Sequence, residues 1–321
     1  MAVNSDKPAL WKQDIARSVD LYNGWFLAFA PEAFRSTRIE TTGQVEVAFA
    51  HTANLTLVNP DVLGAHPEIL HILRMCTCPP IARDRLVGLS GTPPQVVKSI
   101  ELKGHLPKRM GRATVRAALE AVCKTIVAML DPDIVVWKDR RGPPGAGDVH
   151  RAATVIADRV CGAVTDPIIR NAQERRQLAA IAAWLRQRGY RHLEAGDVQD
   201  IRNMPEGSFA FRVNVPVGLA DGKGKQVNIP VDVAIRPPRS PADVLPIMIE
   251  AKSAGDFTNV NKRRKEEAAK MAQLRANYGH AISYVLFLCG YFDSGYLGYE
   301  AAEGIDWVWE HRIDDLAEFG L

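Results

Sequence analysis

A change of hydrophobic period after Gly207 constrains the fold of this chain more than any other feature. Residues 209–217 (FAFRVNVPV) and 226–235 (QVNIPVDVAI) both show a two-residue alternation, and the turn sequence DGKGK lies between them. A period of two is typical of half-buried strands, so the two segments predict a β-hairpin.

Two further strands and a helix are expected after the hairpin. Residues 245–251 (LPIMIEA) and 282–288 (ISYVLFL) are short apolar runs that predict buried strands, and residues 261–278 between them predict a charged amphipathic helix. Residues 305–309 are a candidate edge strand. The order strand, strand, strand, helix, strand predicts an α/β domain with a mixed sheet.

The first 160 or so residues have a mainly helical pattern. Apolar residues recur every three or four positions over 113–130, which predicts a helix with a buried stripe. Residues 141–147 contain two prolines and three glycines and predict a loop or linker. A second helix is expected from about Pro167 to Gln187, with Gly189 as its left-handed C-cap.

Length and composition fit a globular protein of two domains, or of one large domain with an elaborated flank. The chain has 321 residues, of which 47% are hydrophobic, and we expect a helical domain at 1–160 and a mixed-sheet domain at 161–321. The longest strongly apolar run, 281–292, is shorter than the roughly 20 residues that span a bilayer, and the N-terminus lacks the apolar core of a secretory signal. Five cysteines, an odd number, argue against a disulfide framework. We therefore expect a cytoplasmic protein with no membrane partner.

Positive charge is concentrated in three clusters. Residues 292–321 carry a net charge of −7, so the rest of the chain carries +10 although the whole chain carries only +3. The clusters lie around Lys108 and Arg109, at Lys138–Arg141 and at Lys262–Lys265. Together they are able to form a phosphate-binding surface, whereas each one alone is more typical of a solvated helix face.

The candidate chemistry lies at the ends of two predicted strands. Asp232 is near the end of the hairpin, and Glu250 and Lys252 close the next strand, where their two-residue spacing directs both side chains to one face. If Asp232 lies opposite, two carboxylates and an ammonium converge on one spot. The alternative is that Asp232 is a strand-end residue and that Glu250 and Lys252 form a surface ion pair.

Such a cluster suits metal-assisted phosphodiester hydrolysis. Asp232 and Glu250 offer the hard oxygen ligands that Mg²⁺ prefers, and the predicted metal site also includes Ala251, which follows Glu250. Lys252 is then able to position or deprotonate the attacking water and to steady the developing charge.

These residues resemble those of the PD-(D/E)xK nuclease superfamily, with Pro230-Val231-Asp232 as the first half of the motif and Glu250-Ala251-Lys252 as the second. One departure is Val231, which separates the proline from the aspartate. Within the superfamily, residues 250–279 closely resemble the XamI-type type II restriction endonucleases, as do residues 59–85 and 304–312.

The resemblance implies a fold, an activity and partners. The fold is a PD-(D/E)xK restriction-endonuclease-like α/β core, in which helices flank a mixed central sheet, plus a mainly helical N-terminal region for DNA engagement or dimerisation. The activity is Mg²⁺-dependent cleavage of double-stranded DNA at a short palindromic sequence, of the GTCGAC type, leaving 5′-phosphate ends. The enzyme is expected to be a homodimer, with a cognate DNA methyltransferase as a functional, not physical, partner.

The resemblance also assigns roles to residues. Asp232 and Glu250 match the metal-binding acids, and Lys252 matches the catalytic lysine. Many superfamily members add a glutamate from a helix that precedes the first core strand; Glu174 is the candidate here, and Glu194 is its competitor.

DNA contacts are expected from the basic clusters and from the segment that follows Lys252. That segment is rich in small and polar residues and opens a helix, and asparagine pairs well with adenine edges. The predicted DNA-binding residues are Asn259, Asn261, Lys262, Arg263, Arg264, Lys108, Arg109, Arg140 and Arg141. The four adjacent basic residues cannot all face one side of a helix, so some of them are expected to be solvated or to pair with Glu266 and Glu267.

Two other functions compete with site-specific restriction. One is a repair or recombination nuclease that reads DNA structure instead of sequence. The other is a DNA-binding module that keeps the fold without cutting, although the complete set of Asp232, Glu250 and Lys252 argues against it.

Overall fold

The computed structural model of the chain describes residues 2–140, 142–198, 200–218, 226–241, 244–258, 260–279 and 282–321, with the backbone alone described at 195 and 260–263. The chain forms two compact units. The first, called the sheet unit below, comprises residues 1–29 and 169–321; the second, the helical unit, comprises residues 30–168.

The helices of the two units are as follows. They are α1 (Pro8–His51), α2 (Pro60–Ala65), α3 (Leu70–Met75), α4 (Arg83–Ser90), α5 (Pro94–Lys103), α6 (Arg112–Ala128), α7 (Ala146–Gln187), α8 (Val260–Tyr278) and α9 (Ser294–Ala302). Short 3₁₀ segments lie at Pro67–Ile69, Ala195–Asp197, Ile201–Asn203 and Glu310–Phe319. None of the described helices combines the length and apolar character that a membrane crossing requires.

The helical unit has one apolar core to which the predicted stripe contributes. The helix predicted at 113–130 is confirmed as α6, and its apolar positions, including Val115, Leu119 and Val122, are buried. Asn59 caps α2, because its side chain accepts hydrogen bonds from the backbone N–H groups of Asp61 and Val62.

The prediction that a helix begins at about Pro167 is wrong. Pro167 lies inside α7, which already begins at Ala146. The predicted loop therefore ends before Ala146. The domain boundary expected between residues 160 and 161 falls inside the same helix. A proline removes one backbone hydrogen bond from a helix, but 42 residues with a buried apolar face supply enough packing to carry the helix through it. Its predicted C-cap is confirmed, since Gly189 has a φ of 82°.

The described residues of the sheet unit form a mixed sheet of six strands; the sequence predicts the mixed sheet and five of its strands, but not β1. The strands are β1 (Arg191–Leu193), β2 (Ser208–Gly218), β3 (Gln226–Arg236), β4 (Ile247–Ala254), β5 (Tyr284–Gly290) and β6 (Asp306–Trp309), and they lie in chain order across the sheet. β2, β3 and β4 are antiparallel neighbours, whereas β1 pairs with β2, and β5 with β4 and β6, in parallel. The predicted hairpin and the edge strand at 305–309 are therefore confirmed.

The hairpin is irregular at Arg212 and Asp232. In a regular strand the residues at i and i+2 share a face, yet the residues on either side of Asp232 pack into different apolar clusters, and so do those on either side of Arg212. Arg212 has a φ of 53°, and the paired residues of β2 and β3 flank these two positions. Asp232 therefore lies where the alternation of the hairpin reverses.

The ends of β4 and β5 are held by the first helix and by a required glycine. Gly290 has a φ of 98°, and a Cβ atom there would lie 2.1 Å from the Ala254 carbonyl oxygen. Its backbone N–H donates a 2.8 Å hydrogen bond to Ser18 Oγ of α1. Asp306 of β6 likewise accepts hydrogen bonds from the N–H groups of Asn4 and Ser5, which explains why the first 29 residues belong to the sheet unit.

Candidate active site

Two carboxylates meet where β3 and β4 run antiparallel. Val233 pairs with Ile249, which brings the preceding Asp232 beside Glu250. Asp232 Oδ2 accepts a 2.8 Å hydrogen bond from the backbone N–H of Ala251, and Glu250 is only 5% exposed. The structure thus brings together the acids that the sequence analysis selected.

Lys252 lies between two buried glutamates. Its Nζ atom is 3.0 Å from Glu250 Oε1 and 3.0 Å from Glu267 Oε1 of α8. Burial by itself would lower the pKa of Lys252, but the charges of Glu250 and Glu267 outweigh it and hold the pKa above its ordinary value. Lys252 is therefore an ammonium at neutral pH.

The pKa of Asp232 is raised to about 6. Burial is the main cause and the negative charge of Glu250 is the next, while the hydrogen bond from Ala251 acts in the opposite direction. Two buried carboxylates side by side disfavour a second negative charge unless a cation joins them.

Helix α7 supplies polar groups on the other side of the cluster. Glu174 Oε1 accepts hydrogen bonds of 3.1 and 2.8 Å from Nε and Nη2 of Arg212. Gln177 Nε2 donates to the carbonyl oxygen of Lys252, at 3.3 Å, and Gln177 Oε1 accepts from Ser253 Oγ, at 3.0 Å. Gln177 thus holds the Lys252 carbonyl and the Ser253 side chain of β4.

The four predicted catalytic residues share one cavity of about 410 Å³. It is lined by Arg170, Gln173, Glu174, Gln177, Asp232, Glu250, Ala251, Lys252, Ser253 and Glu266. Glu194, the competitor of Glu174, lies away from this cavity with a side chain that is 84% exposed, 3.8 Å from His192. Of the two glutamates, only Glu174 is placed to act with the other three.

The donor set fits a hard divalent cation. Glu250 Oε2 is buried and has no hydrogen-bond partner among the described residues, and the Asp232 carboxylate lies on the adjacent strand. An orphaned carboxylate oxygen beside a second carboxylate is a favourable environment for Mg²⁺. The described contact of Ala251 is through its N–H group, so its inclusion in the metal site stays a prediction.

Glu267 and Lys270 of α8 are site residues that the sequence analysis missed. Lys270 Nζ lies 2.6 Å from Glu250 Oε1, and Glu267 is only 1% exposed. A signal was present, because Glu267 occupies the same helical stripe as the buried Met271 and Leu274, where an apolar residue is expected.

The predicted DNA-binding residues are distributed over both units. Lys108, Arg109 and Arg140 are exposed in the helical unit, where Arg140 pairs with Asp148 at 3.3 Å. In the sheet unit, the guanidinium of Arg264 lies 4.2 Å from the centre of the Tyr299 ring. Asn259 and Arg141 lie outside the described residues, as do the side chains of Asn261, Lys262 and Arg263. DNA contact by each of these nine residues stays a prediction.

A second group of potential metal ligands lies in the helical unit. The ligand atoms of His51, His66 and Glu68 all lie within 4.8 Å of one another. The two imidazole rings are stacked with their centroids 3.4 Å apart, however. Stacked rings direct their in-plane lone pairs side by side, so at least one ring would have to turn before both could bind one ion.

The comparisons with known proteins agree with the chemistry of the cavity. The family model of the XamI restriction endonuclease matches residues 53–309, a range that contains all four predicted catalytic residues. The chain is 53% identical, over 318 residues, to the type II restriction enzyme SalI of Streptomyces albus G, and the alignment covers 99% of each chain. No solved structure matches. Because the match extends over most of the chain and includes the acid and lysine cluster, this protein belongs to the XamI restriction endonuclease family.

Proposed function

We propose that this protein is a type II restriction endonuclease that hydrolyses phosphodiester bonds of double-stranded DNA at a short palindromic site, with Mg²⁺ as its cofactor. The observation that carries the proposal is the convergence of Asp232, Glu250 and Lys252 on one cavity in a chain of the XamI family. We assign the sheet unit to the PD-(D/E)xK superfamily on the same residues, with Val231 as the one departure from its motif.

Each residue of the cluster has a distinct role in this reaction. Asp232 and Glu250 would hold Mg²⁺, which when bound supplies positive charge at the phosphate and an acidified water as the nucleophile. Lys252 places an ammonium at the same spot and stabilises the negative charge that develops on the phosphate oxygens during in-line attack. The raised pKa of Lys252 favours this role over proton abstraction.

Glu174 is assigned as a further acid of the site. It faces the cavity from α7, and its negative charge contributes to the raised pKa of Asp232. The ion pair with Arg212 holds it in place beside the irregular position of the hairpin.

The recognised DNA and the assembly follow from the proposed activity. A palindromic site presents the same half-site on both strands, so a two-fold symmetric homodimer cuts each strand in the same way. Attack of water on phosphorus with the 3′ oxygen as the leaving group breaks the P–O3′ bond and leaves 5′-phosphate and 3′-hydroxyl ends. GTCGAC is the first sequence to test, and a methyltransferase that modifies the same site would protect the host DNA.

The test is digestion of DNA of known sequence, with and without a GTCGAC site, by wild-type protein and by Lys252→Ala. We expect discrete fragments with Mg²⁺, none with EDTA and none with the variant, and sequencing of the ends gives the cut position. Lys124→Ala, on the exposed surface of α6, is the control and is expected to cut like the wild type. Fragment ends at DNA junctions or nicks instead of at one sequence would assign the protein to structure-directed cleavage.

A further inference from the structure

Helix α8 presents a glutamate and a lysine, one turn apart, to the acid and the lysine of β4. Glu267 and Lys270 are three residues apart, so their side chains leave the helix on one face. Met271 and Leu274 on the same side are buried in the core of the sheet unit and fix the orientation of that face.

The four charged groups alternate in sign. Lys252 Nζ is 3.0 Å from both Glu267 Oε1 and Glu250 Oε1, and Lys270 Nζ is 2.6 Å from the same oxygen of Glu250. Both ammonium groups therefore meet at Glu250 Oε1, while Glu250 Oε2 has no hydrogen-bond partner among the described residues.

The two α8 residues have opposite effects on Glu250. Lys270 neutralises a carboxylate that a divalent cation must also use, so the two cations compete for it. Glu267 shares the ammonium of Lys252 with Glu250 at the same 3.0 Å distance, which lessens the competition that Lys252 offers to a metal. Glu267 is only 1% exposed, and burying its negative charge costs free energy unless a cation pairs with it. Among the described residues, that cation is Lys252.

We propose that Glu267 and Lys270 are positioning residues that set the affinity of the active site for its divalent cation. Glu267 holds Lys252 in place so that Glu250 remains available, and Lys270 is the ammonium that a metal displaces from Glu250. The proposal rests on the proposed function, because it takes Asp232 and Glu250 as the residues that hold the metal.

The test is direct binding of Mn²⁺, followed by electron paramagnetic resonance of the free ion, to the full-length protein without DNA. We expect Glu267→Gln to weaken Mn²⁺ binding about tenfold, because Lys252 then pairs with Glu250 alone, and Lys270→Gln to strengthen it by a similar factor. The proposal is overturned if both variants bind Mn²⁺ within about twofold of the wild type.

A double variant separates this role from a general effect of charge. If Glu267 acts through Lys252, Glu267→Gln changes Mn²⁺ affinity little in a Lys252→Met background, whereas a long-range charge effect would persist there. An equal loss in both backgrounds contradicts the proposal. If Glu267→Gln does not fold, Lys270→Gln decides alone, and unchanged or weaker binding by that variant overturns the proposal.

Cleavage by the wild-type protein is measured in parallel. Should the wild type bind Mn²⁺ and the variants shift that binding as expected without any cleavage of DNA, the proposed function fails while this inference stands. Should the wild type cleave DNA and the variants bind Mn²⁺ like the wild type, only this inference fails.

Discussion

In the helical unit, buried polar side chains are mostly hydroxyls, and several of them bond to their own helix, whereas in the sheet unit they include carboxylates from four separate elements. Thr52 and Thr165 each donate a 2.7 Å hydrogen bond to the carbonyl oxygen four residues earlier. Glu250, Glu267 and Glu300, by contrast, lie on β4, α8 and α9 and are at most 5% exposed.

The difference indicates that the sheet unit, more than the helical unit, contains charged groups whose burial lowers the stability of the fold. A hydroxyl that bonds to its own helix can be buried at little cost, whereas a buried carboxylate is expensive unless a cation joins it. The sheet unit places several such carboxylates next to one another and beside Lys252, and this concentration of charge is the physical mark of the active site.

Of the variants that test this difference between the two units, Asp232→Asn is expected to have the largest effect. We expect single-turnover cleavage to fall on the order of 10³-fold or more, since a ligand to the metal is removed. Thermal stability should be retained or raised at pH 7, because the variant no longer ionises a buried carboxyl whose pKa is about 6. A variant that cuts at the wild-type rate would remove Asp232 from the site.

Gly290→Ala disturbs the same unit through the backbone. The new Cβ would lie 2.1 Å from a backbone oxygen, in a left-handed conformation, so we expect a loss of about 3 kcal/mol or more in the free energy of unfolding. Gly162→Ala in α7 is the control: nothing lies within 4 Å of its Cβ position, and alanine is expected to stabilise the helix by about 0.5–1 kcal/mol. Urea unfolding of both variants measures the contrast, and equal effects would contradict it.

Asp131→Ala tests a buried carboxylate of the helical unit. Asp131 pairs with Arg159 at 2.9 Å, and the Arg159 side chain is 27% exposed. We expect a loss of about 2 kcal/mol, less than for a fully buried pair because water partly screens the arginine. Cleavage measured well below the melting temperature should be unchanged; a large loss of the cleavage rate would show that this unit also contributes charge to the reaction.

Glu300→Gln gives the smallest effect and depends on pH. Burial, and then the charge of Glu267, raises the pKa of Glu300 to about 8. The folded protein therefore holds this proton more tightly than the unfolded chain, and the resulting stability is lost as the pH rises from about 5 through 8. Melting temperatures measured from pH 5 to pH 9 should fall less steeply for Glu300→Gln than for the wild type, because the variant lacks the carboxyl that must ionise. Parallel curves would show that Glu300 ionises normally.

The sequence predicted the strands and the acid and lysine cluster because their signals are local. The hairpin follows from alternation. The two-residue spacing from Glu250 to Lys252 puts both side chains on one face of β4 whatever the rest of the chain does. Strand β4 is the antiparallel neighbour of β3, and this pairing brings Asp232 of β3 beside Glu250 of β4.

The rest of the site depends on packing between distant segments. Glu267 is brought to Lys252 by the orientation of α8. The reversal of alternation at Arg212 coincides with a positive φ at a non-glycine residue, which no local sequence rule indicates. The sequence predicts that Pro167 starts a helix, because proline is favoured in the first turn of a helix. In the structure it lies inside α7, because tertiary packing of the helix outweighs this local preference. The role of the first 29 residues in the sheet unit was equally invisible, since the contacts of Ser18 with Gly290 span most of the chain.

Affinity cleavage by Fe²⁺ in the metal site tests the central claim most directly. Fe²⁺ with ascorbate and peroxide produces hydroxyl radicals that cut the polypeptide next to the bound ion, and the cut positions are read by mass spectrometry. We predict cuts near Asp232 and around Glu250, competed by Mg²⁺ and lost in Asp232→Asn. Cuts confined to the surroundings of His51, His66 and Glu68, unchanged in Asp232→Asn, would contradict the account.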